Sequence, residues 1–345
     1  MPGDKEVTIY DIARHLAISA TTVSRGLQNN PMVNKNTRKK ILEAARALGY
    51  RSNTFASSLR SRQTHTIGVL VPRLNSYFMS SVLAGMENAA TAEGYNLIIA
   101  QSLEDMEKEK ANAATMFNKR VDGLLVSLAY NTADMQHFEP FFKRKIPVVF
   151  FDRVFPHAGS TSISIDNQQA AYSIVSHLAE QGCKKIMHLG GSLLRNVYRE
   201  RFEGYRQALA AHQLPFYPEW HLVSGLSEDA GTDAANYILE LPPEERPDAV
   251  FAANDTAAAY CLLAVKKAGL RVPGDIAFAG FNNDPISKII EPNLTTVDYP
   301  GHIIGQSAVT SLVNHLKGAG NLYFTNNIIL RHDILIRASS LKNAL

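Results

Sequence analysis

Apolar residues recur at a helical interval near the start of the chain, at Ile9, Ile12, Ala13 and Leu16, so one face of a short helix is apolar there. Thr8 stands where an N-cap belongs and Asp11 lies in the first turn, residue types that satisfy the free N–H groups of a helix start. After the brief turn "AIS", Ser19 caps a second helix whose inward residues are Val23 and Leu27, which leaves Ala20, Thr21, Ser24 and Arg25 outward. The turn signal "NNP" follows. Asn34 then caps a third helix, with Ile41, Leu42, Ala45 and Leu48 inward and Gly49 as its stop. The spacing predicts three short helices around one small core. The next stretch, "NTFASSLRSRQT" at 53–64, has few apolar positions, and a helix of that length is not stable by itself.

From Thr66 the pattern changes. Short apolar runs, "IGVLVP", "YNLIIA", "DGLLVSL" and "IPVVFFD", alternate with amphipathic stretches and read as buried parallel strands joined by helices. The alternation repeats with "KKIMHLG", "DAVFAAN" and "DIAFAGF". Two doubly wound α/β lobes are predicted, whose ligands lie beyond the carboxyl ends of the strands. The cleft between them is the natural small-molecule site.

Charge adds a partner to this picture. The net charge of +3 conceals an asymmetry: residues 1–65 hold 11 Lys and Arg against 4 Asp and Glu, and the rest hold 24 against 28. A basic head on a mildly acidic body points to a polyanion partner for the head. A helix-turn-helix places its second helix in the DNA major groove, and small or hydroxyl-bearing residues at the start of that helix allow close approach to base edges. Arg25 suits a two-bond contact to guanine O6 and N7. Lys35, Arg38, Lys39 and Lys40 suit phosphates.

Other chemistry is thin. With 345 residues, 46% apolar and 19% charged, the chain is ordinary globular material for two or three folded units. Cys183 and Cys261 are far apart and outside any metal-ligand spacing, so both read as reduced packing residues. The 11 His are scattered without metal spacing, and "HLGGSLLRN" fits neither a dinucleotide nor a P-loop pattern. No cofactor or metal is expected. The opening "MPGDKEVTIYD" has no apolar run of signal-peptide type, and no segment approaches the roughly 20 apolar residues that span a bilayer. The expectation is a cytoplasmic protein with no membrane partner. "ASSLKNAL" after Arg337 is too short for a tetramerising coiled coil, so a homodimer is expected.

"VTIYDIARHLAISATTVSRGLQNNPMVNKNTRKKILEAARALGYRSNTFASSLRS" resembles the DNA-binding headpiece and hinge of the LacI/GalR family of bacterial transcription regulators, and the similarity continues along nearly the whole chain. T-I-Y-D-I-A, the recognition helix ending V-S-R, T-R-x-x-I and L-G-Y carry it. Ile18 stands where valine is common, and Thr21 where many members have alanine, so base preference is expected to differ there. The resemblance implies an all-α helix-turn-helix headpiece at 1–52, a hinge helix at 53–65 that orders on operator DNA, and a periplasmic-binding-protein-like core at 66–340. The core's first lobe is placed at 66–165 with 297–325, and its second at 166–296 with 326–340.

The same resemblance implies the site residues. Those facing DNA are Thr8, Tyr10, Ser19, Ala20, Thr21, Ser24, Arg25, Asn34 and Thr37, with Asn53, Ala56 and Leu59 in the hinge, where Leu59 acts as an apolar wedge in the minor groove. Those facing the effector are Asn75, Tyr77 and Phe78 in "NSYF", Ser127, Asp152 closing "VVFFD", Arg195 and Arg201 in "RNVYRERFEGY", Asn254 in "AAND" and Asn282 in "GFNND". For a polyhydroxylated ligand carboxylates accept, arginine donates a fork of bonds and asparagine does both. Many members have aspartate at Asn282, and some have a stacking aromatic at Leu226.

The implied function is a homodimeric operator-binding regulator, read as a repressor, whose DNA affinity is set by a sugar-like effector in the cleft. A sugar receptor fits the lobes but leaves residues 1–65 unexplained. An enzyme has no chemistry to rest on.

Overall fold

The computed structural model describes residues 7–50, 63–324 and 327–342. The chain divides into two compact units, one ending at Thr64 and the other beginning at His65. The hinge residues Asn53, Ala56 and Leu59 lie outside the described residues.

The first unit is built of α1 (Ile9–Leu16), α2 (Ala20–Leu27) and α3 (Lys35–Ala47). Ile12, Val23 and Ile41, one from each helix, are fully buried and form the centre of the core. A methyl group on Gly26 would sit 2.5 Å from Ile41 Cδ1, so α2 packs closely on α3 and a larger residue there would have to displace the end of the Ile41 side chain. Asn34 caps α3 by accepting from Asn36 N–H at 2.8 Å.

In the second unit, strands and helices alternate. The first half comprises β1 (Thr66–Val71), α4 (Tyr77–Ala92), β2 (Asn96–Gln101), α5 (Met106–Asn118), β3 (Gly123–Val126), α6 (Glu139–Lys143), β4 (Val148–Phe151) and β5 (Ser160–Ile165). After α7 (Asn167–Glu180) come β6 (Ile186–Gly190), α8 (Asn196–Ala211), β7 (His221–Val223), α9 (Glu228–Glu240), β8 (Ala249–Ala252), α10 (Asp255–Lys267), β9 (Ala277–Asn282) and α11 (Ile286–Ile289). The chain ends with β10 (Thr295–Asp298), α12 (Gly301–Leu316), β11 (Asn327–Leu330) and β12 (Asp333–Leu335).

Two six-stranded sheets result, ordered β11-β5-β4-β3-β1-β2 and β12-β10-β9-β8-β6-β7. Every pairing is parallel except β10 with β12. Strands such as β3, β4 and β8 are buried along their whole length, as a sheet covered on both faces requires. One buried cluster runs through both lobes and includes Phe78, Phe151, Phe251, Phe281 and Tyr299.

One lobe boundary differs from the sequence-based placement. β10 pairs with β9, so the return to the first lobe follows Asp298, close to the expected position near 297. β11 pairs with β5 in the first sheet, so the last crossing falls between Leu330 and Asp333, not at 326. In the first lobe α12 lies on α4, where a methyl on Gly305 would be 2.0 Å from the Val82 carbonyl oxygen. Only glycine permits that approach.

Candidate functional site

In the head, the exposed side of α2 presents Thr21 and Arg25, one helical turn apart, with Ala20 and Ser24 half-buried beside them. Ser19 is engaged as the cap of α2, since Thr22 N–H donates to its Oγ at 3.1 Å. Thr8 is likewise tied to Asp11, whose carboxylate receives its backbone N–H at 2.9 Å and its hydroxyl at 2.7 Å. Tyr10 is largely exposed, and Thr37 is half-buried in the first turn of α3. Arg14 pairs with Asp11 and Lys39 with Glu43. Among the described residues Arg25, Lys35 and Lys40 have no ion-pair partner. The head therefore offers an unpaired guanidinium and a hydroxyl on one helix, with cations on α3.

In the core, a cavity of about 480 Å³ opens at the carboxyl ends of strands from both lobes. Asn75, Tyr77, Phe78, Asp152, Arg201, Asn254 and Asn282 all line it, although they come from segments far apart in sequence. Asp152, at the end of β4, is held from two sides. Its carboxylate accepts from Tyr299 OH at 2.9 Å and Ser127 Oγ at 3.2 Å, so Ser127 acts on the cleft through Asp152 instead of lining it. Burial pushes the Asp152 carboxyl above its ordinary range.

Arg201 is 3% exposed, and burial lowers its pKa. Its Nε donates to Asn167 Oδ1 at 3.0 Å and one Nη to the Ala253 carbonyl at 2.7 Å, while the guanidinium lies 3.5 Å from the centre of the Phe281 ring. Such anchoring fixes a donor without consuming all of its capacity. Asn254 is more fully committed. It caps α10 by accepting from Ala257 N–H and donates to the Leu226 carbonyl, both at 2.9 Å.

Arg195 is not among the residues that line the cavity. It is 3% exposed, and its guanidinium donates to the Thr132 carbonyl. The motif gave its place in the chain, but at the start of α8 the side chain points to another contact.

Several lining residues had no sequence signal. Glu104 accepts from Arg153 at 2.6 Å and from Tyr130 N–H at 3.0 Å, with Arg73 Nε at 3.5 Å. Arg153 also donates to Tyr198 OH at 2.9 Å. Leu226 is buried, and ring surface at the cavity comes from Tyr77 and Tyr198. Asp284, two positions after Asn282, also lines the cleft, and burial raises its pKa to about 6.

Positive φ at non-glycine residues recurs along the chain, including at the cavity. Glu104, Asp152, Leu226 and Asn282 have φ of 65°, 56°, 54° and 112°, and all four line the cavity. Left-handed backbone at non-glycine residues costs on the order of 1–3 kcal/mol each and concentrates at ligand clamps. Fixed donors, acceptors and ring faces suit binding of a small polar molecule. Among the described residues no group of three or more His, Cys, Asp or Glu is placed to hold a metal, and no helix is long and apolar enough to cross a membrane.

Both units of the chain resemble known proteins. A family profile described as bacterial regulatory proteins, lacI family, matches residues 8–53, and one described as a periplasmic binding protein-like domain matches residues 175–340. The chain is 34% identical to catabolite control protein A of Priestia megaterium over 312 residues, covering 90% of this chain and 93% of the relative. It is 30% identical to the ribose operon repressor of Haemophilus influenzae over 334 residues, covering 96% and 98%. Among solved structures, a lac repressor dimer bound to operator and the anti-inducer ONPF superimposes with a TM-score of 0.85 at 25% identity, covering 98% of this chain and 100% of that one.

Proposed function

The chain belongs to the LacI family of bacterial regulatory proteins, and from that premise we propose that it is a homodimeric transcriptional repressor whose operator affinity is set by a sugar or similar polyhydroxylated effector held between the core lobes. The observation that carries the reading is the cleft. Seven residues implied by the family resemblance converge on one cavity of about 480 Å³, and the same chain carries a helix-turn-helix head with an unpaired Arg25.

The cleft chemistry supports a hydroxyl-rich ligand. Asp152 and Asn282 supply acceptors, Arg201 and Asn75 donors, and the tyrosines supply ring faces, a combination that suits alternating hydroxyls on an apolar ring. In the head, Arg25 reads a base edge while the α3 lysines meet phosphate. Leu59, in the hinge, wedges into a central base step.

A dimer is supported by the free edges of the two sheets. β2 and β7 each form one edge of their sheet, with β11 and β12 at the other edges, and Ile98, Ile99 and Val223 on the first two are exposed. Covering such edges against a second copy removes an unpaired, apolar border from solvent. Action on genomic DNA places the protein in the cytoplasm. Relatives are named as an operon regulator and an operon repressor, and no catalysis is assigned to the cleft.

Selection from random DNA tests the proposal. A dimer copies its symmetry into its site, so enriched sequences should contain two inverted half-sites. Recovery of only asymmetric or unenriched sequences would refute it.

A further inference from the structure

Three loops meet across the lobes beside the cavity, the third of which also lines it at Gly225, Leu226 and Ser227. One follows β3 and carries Tyr130 and Thr132, and the others follow β6 and β7 and carry Ser192, Arg195 and Ser224. The Tyr130 hydroxyl donates to the Ser224 carbonyl at 3.0 Å and accepts from Ser192 N–H at 2.8 Å. Both its hydrogen-bonding roles are thus filled by the opposite lobe. Arg195 returns the contact by donating to the Thr132 carbonyl. Each of these bonds ends on backbone, so each depends on the distance between the lobes and not on a partner's rotamer.

The Tyr130 loop is itself pinned to the first lobe. Glu109, 1% exposed, accepts from Ala129 N–H at 2.7 Å and Thr132 Oγ1 at 2.9 Å, with His137 Nε2 also at 2.9 Å. Tyr130 N–H donates to Glu104, which lines the cleft and is held there by Arg73 and Arg153. A side chain beside the ligand space therefore also sets where Tyr130 stands.

We propose that Tyr130, with Arg195 beside it, is an interlobe clasp: a pair of positioning residues that hold the lobes together before any effector binds, adjusted from the cleft through Glu104. Hydrogen bonds of about 3 Å weaken steeply on stretching, so opening of the lobes by a few ångströms breaks all three together. The clasp makes lobe closure a two-state element. It raises the closed population in the empty protein, and a ligand fitted to that state binds more tightly because less closure remains to be driven.

The test uses the full chain without DNA or effector. Tyr130→Phe keeps the ring and deletes the hydroxyl. Spin labels on Lys108→Cys and Asp229→Cys, exposed positions on α5 and α9 in opposite lobes, report the separation by pulsed dipolar spectroscopy, and amide exchange at Ser192 reports the bond itself. The expected result is a longer, broader distance distribution together with Ser192 exchange faster by at least about tenfold. Adding Arg195→Gln should widen the distribution further, and Arg195→Gln alone carries the test if Tyr130→Phe fails to fold. An unchanged distance distribution overturns the clasp, even where Ser192 exchanges faster, because the hydroxyl would then be a local loop contact. Neither readout involves operator or ligand, so failure here leaves the regulator reading intact, and failure of operator binding leaves the clasp standing.

Discussion

Arg25 lies on the exposed side of α2 and has no ion-pair partner among the described residues, so its guanidinium is available to DNA. Arg25→Ala should cost about 1–3 kcal/mol on the preferred site and relax specificity at one base pair, whereas Lys39→Ala should weaken all sequences evenly. Competition gel shifts against specific and random DNA measure both, and equal losses for Arg25→Ala would make it a phosphate contact. His188 in β6 permits a second prediction at this scale. It is fully buried, its Nδ1 meets the Phe251 carbonyl at 3.0 Å, and its Nε2 has no hydrogen-bond partner among the described residues. Burial, reinforced by His221, pulls its pKa from the ordinary 6.5 to about 3. Between those values the unfolded chain binds a proton that the folded chain refuses, so stability declines as the pH is lowered through that window. Asp284 works the other way: burial raises it from 3.8 to about 6, so the folded state takes the proton first and gains stability as pH drops through that window. Urea unfolding of His188→Phe and the parent isolates the histidine: the parent should lose stability relative to the variant as pH falls from 6.5 toward 3, and parallel curves would refute the assignment. Individual side chains were legible where a motif fixes both position and direction, as at Asp152 and Arg201. Arg195 shows the limit, since the motif places it in the chain while its direction depends on the distant Thr132 carbonyl.

Helices were legible from their caps and apolar stripes, and the cap is where an element can be weakened without touching its neighbours. Ser19→Ala removes the acceptor for Thr22 N–H and should cost the head about 1 kcal/mol. Hydrogen exchange should accelerate across α2 while amides of the core sheets stay unchanged; uniform exchange would show that the hydroxyl is not a cap. Strands read well where both faces are buried, because a run such as "VVFF" of β4 has one interpretation. The short edge strands were harder. β7, β11 and β12 span only three or four residues with mixed exposure, and their pairing is decided by the sheet they reach. For that reason the sequence put residues from 326 onward in the second lobe, whereas β11 completes the first sheet. The cleft lining beyond the motif residues was illegible for a similar reason: Arg73 and Glu104 of one lobe and Tyr198 of α8 in the other share one cavity only because the two sheets are brought side by side.

At the scale of the whole molecule, charge and architecture divide the work. The basic head faces a polyanion, and log operator affinity should fall with log salt at roughly −0.9 per neutralised phosphate. The mildly acidic core binds a small molecule between lobes that share one buried cluster, so a ligand spanning the cleft acts on both. By linkage, any factor the effector imposes on operator affinity the operator must impose on effector affinity, typically about 1–3 kcal/mol. Arg201 joins the wall of α8 to Asn167 and the Ala253 carbonyl, which makes it the residue whose loss should sever the response. The most direct measurement is fluorescence anisotropy of the selected operator, titrated with and without the sugar that most raises the melting temperature in a ligand screen. The account predicts at least about a fivefold change in operator affinity for the parent protein, and for Arg201→Ala the same affinity without ligand but no response to it. An operator affinity that saturating ligand leaves unchanged in the parent, or a full response in Arg201→Ala, would contradict it.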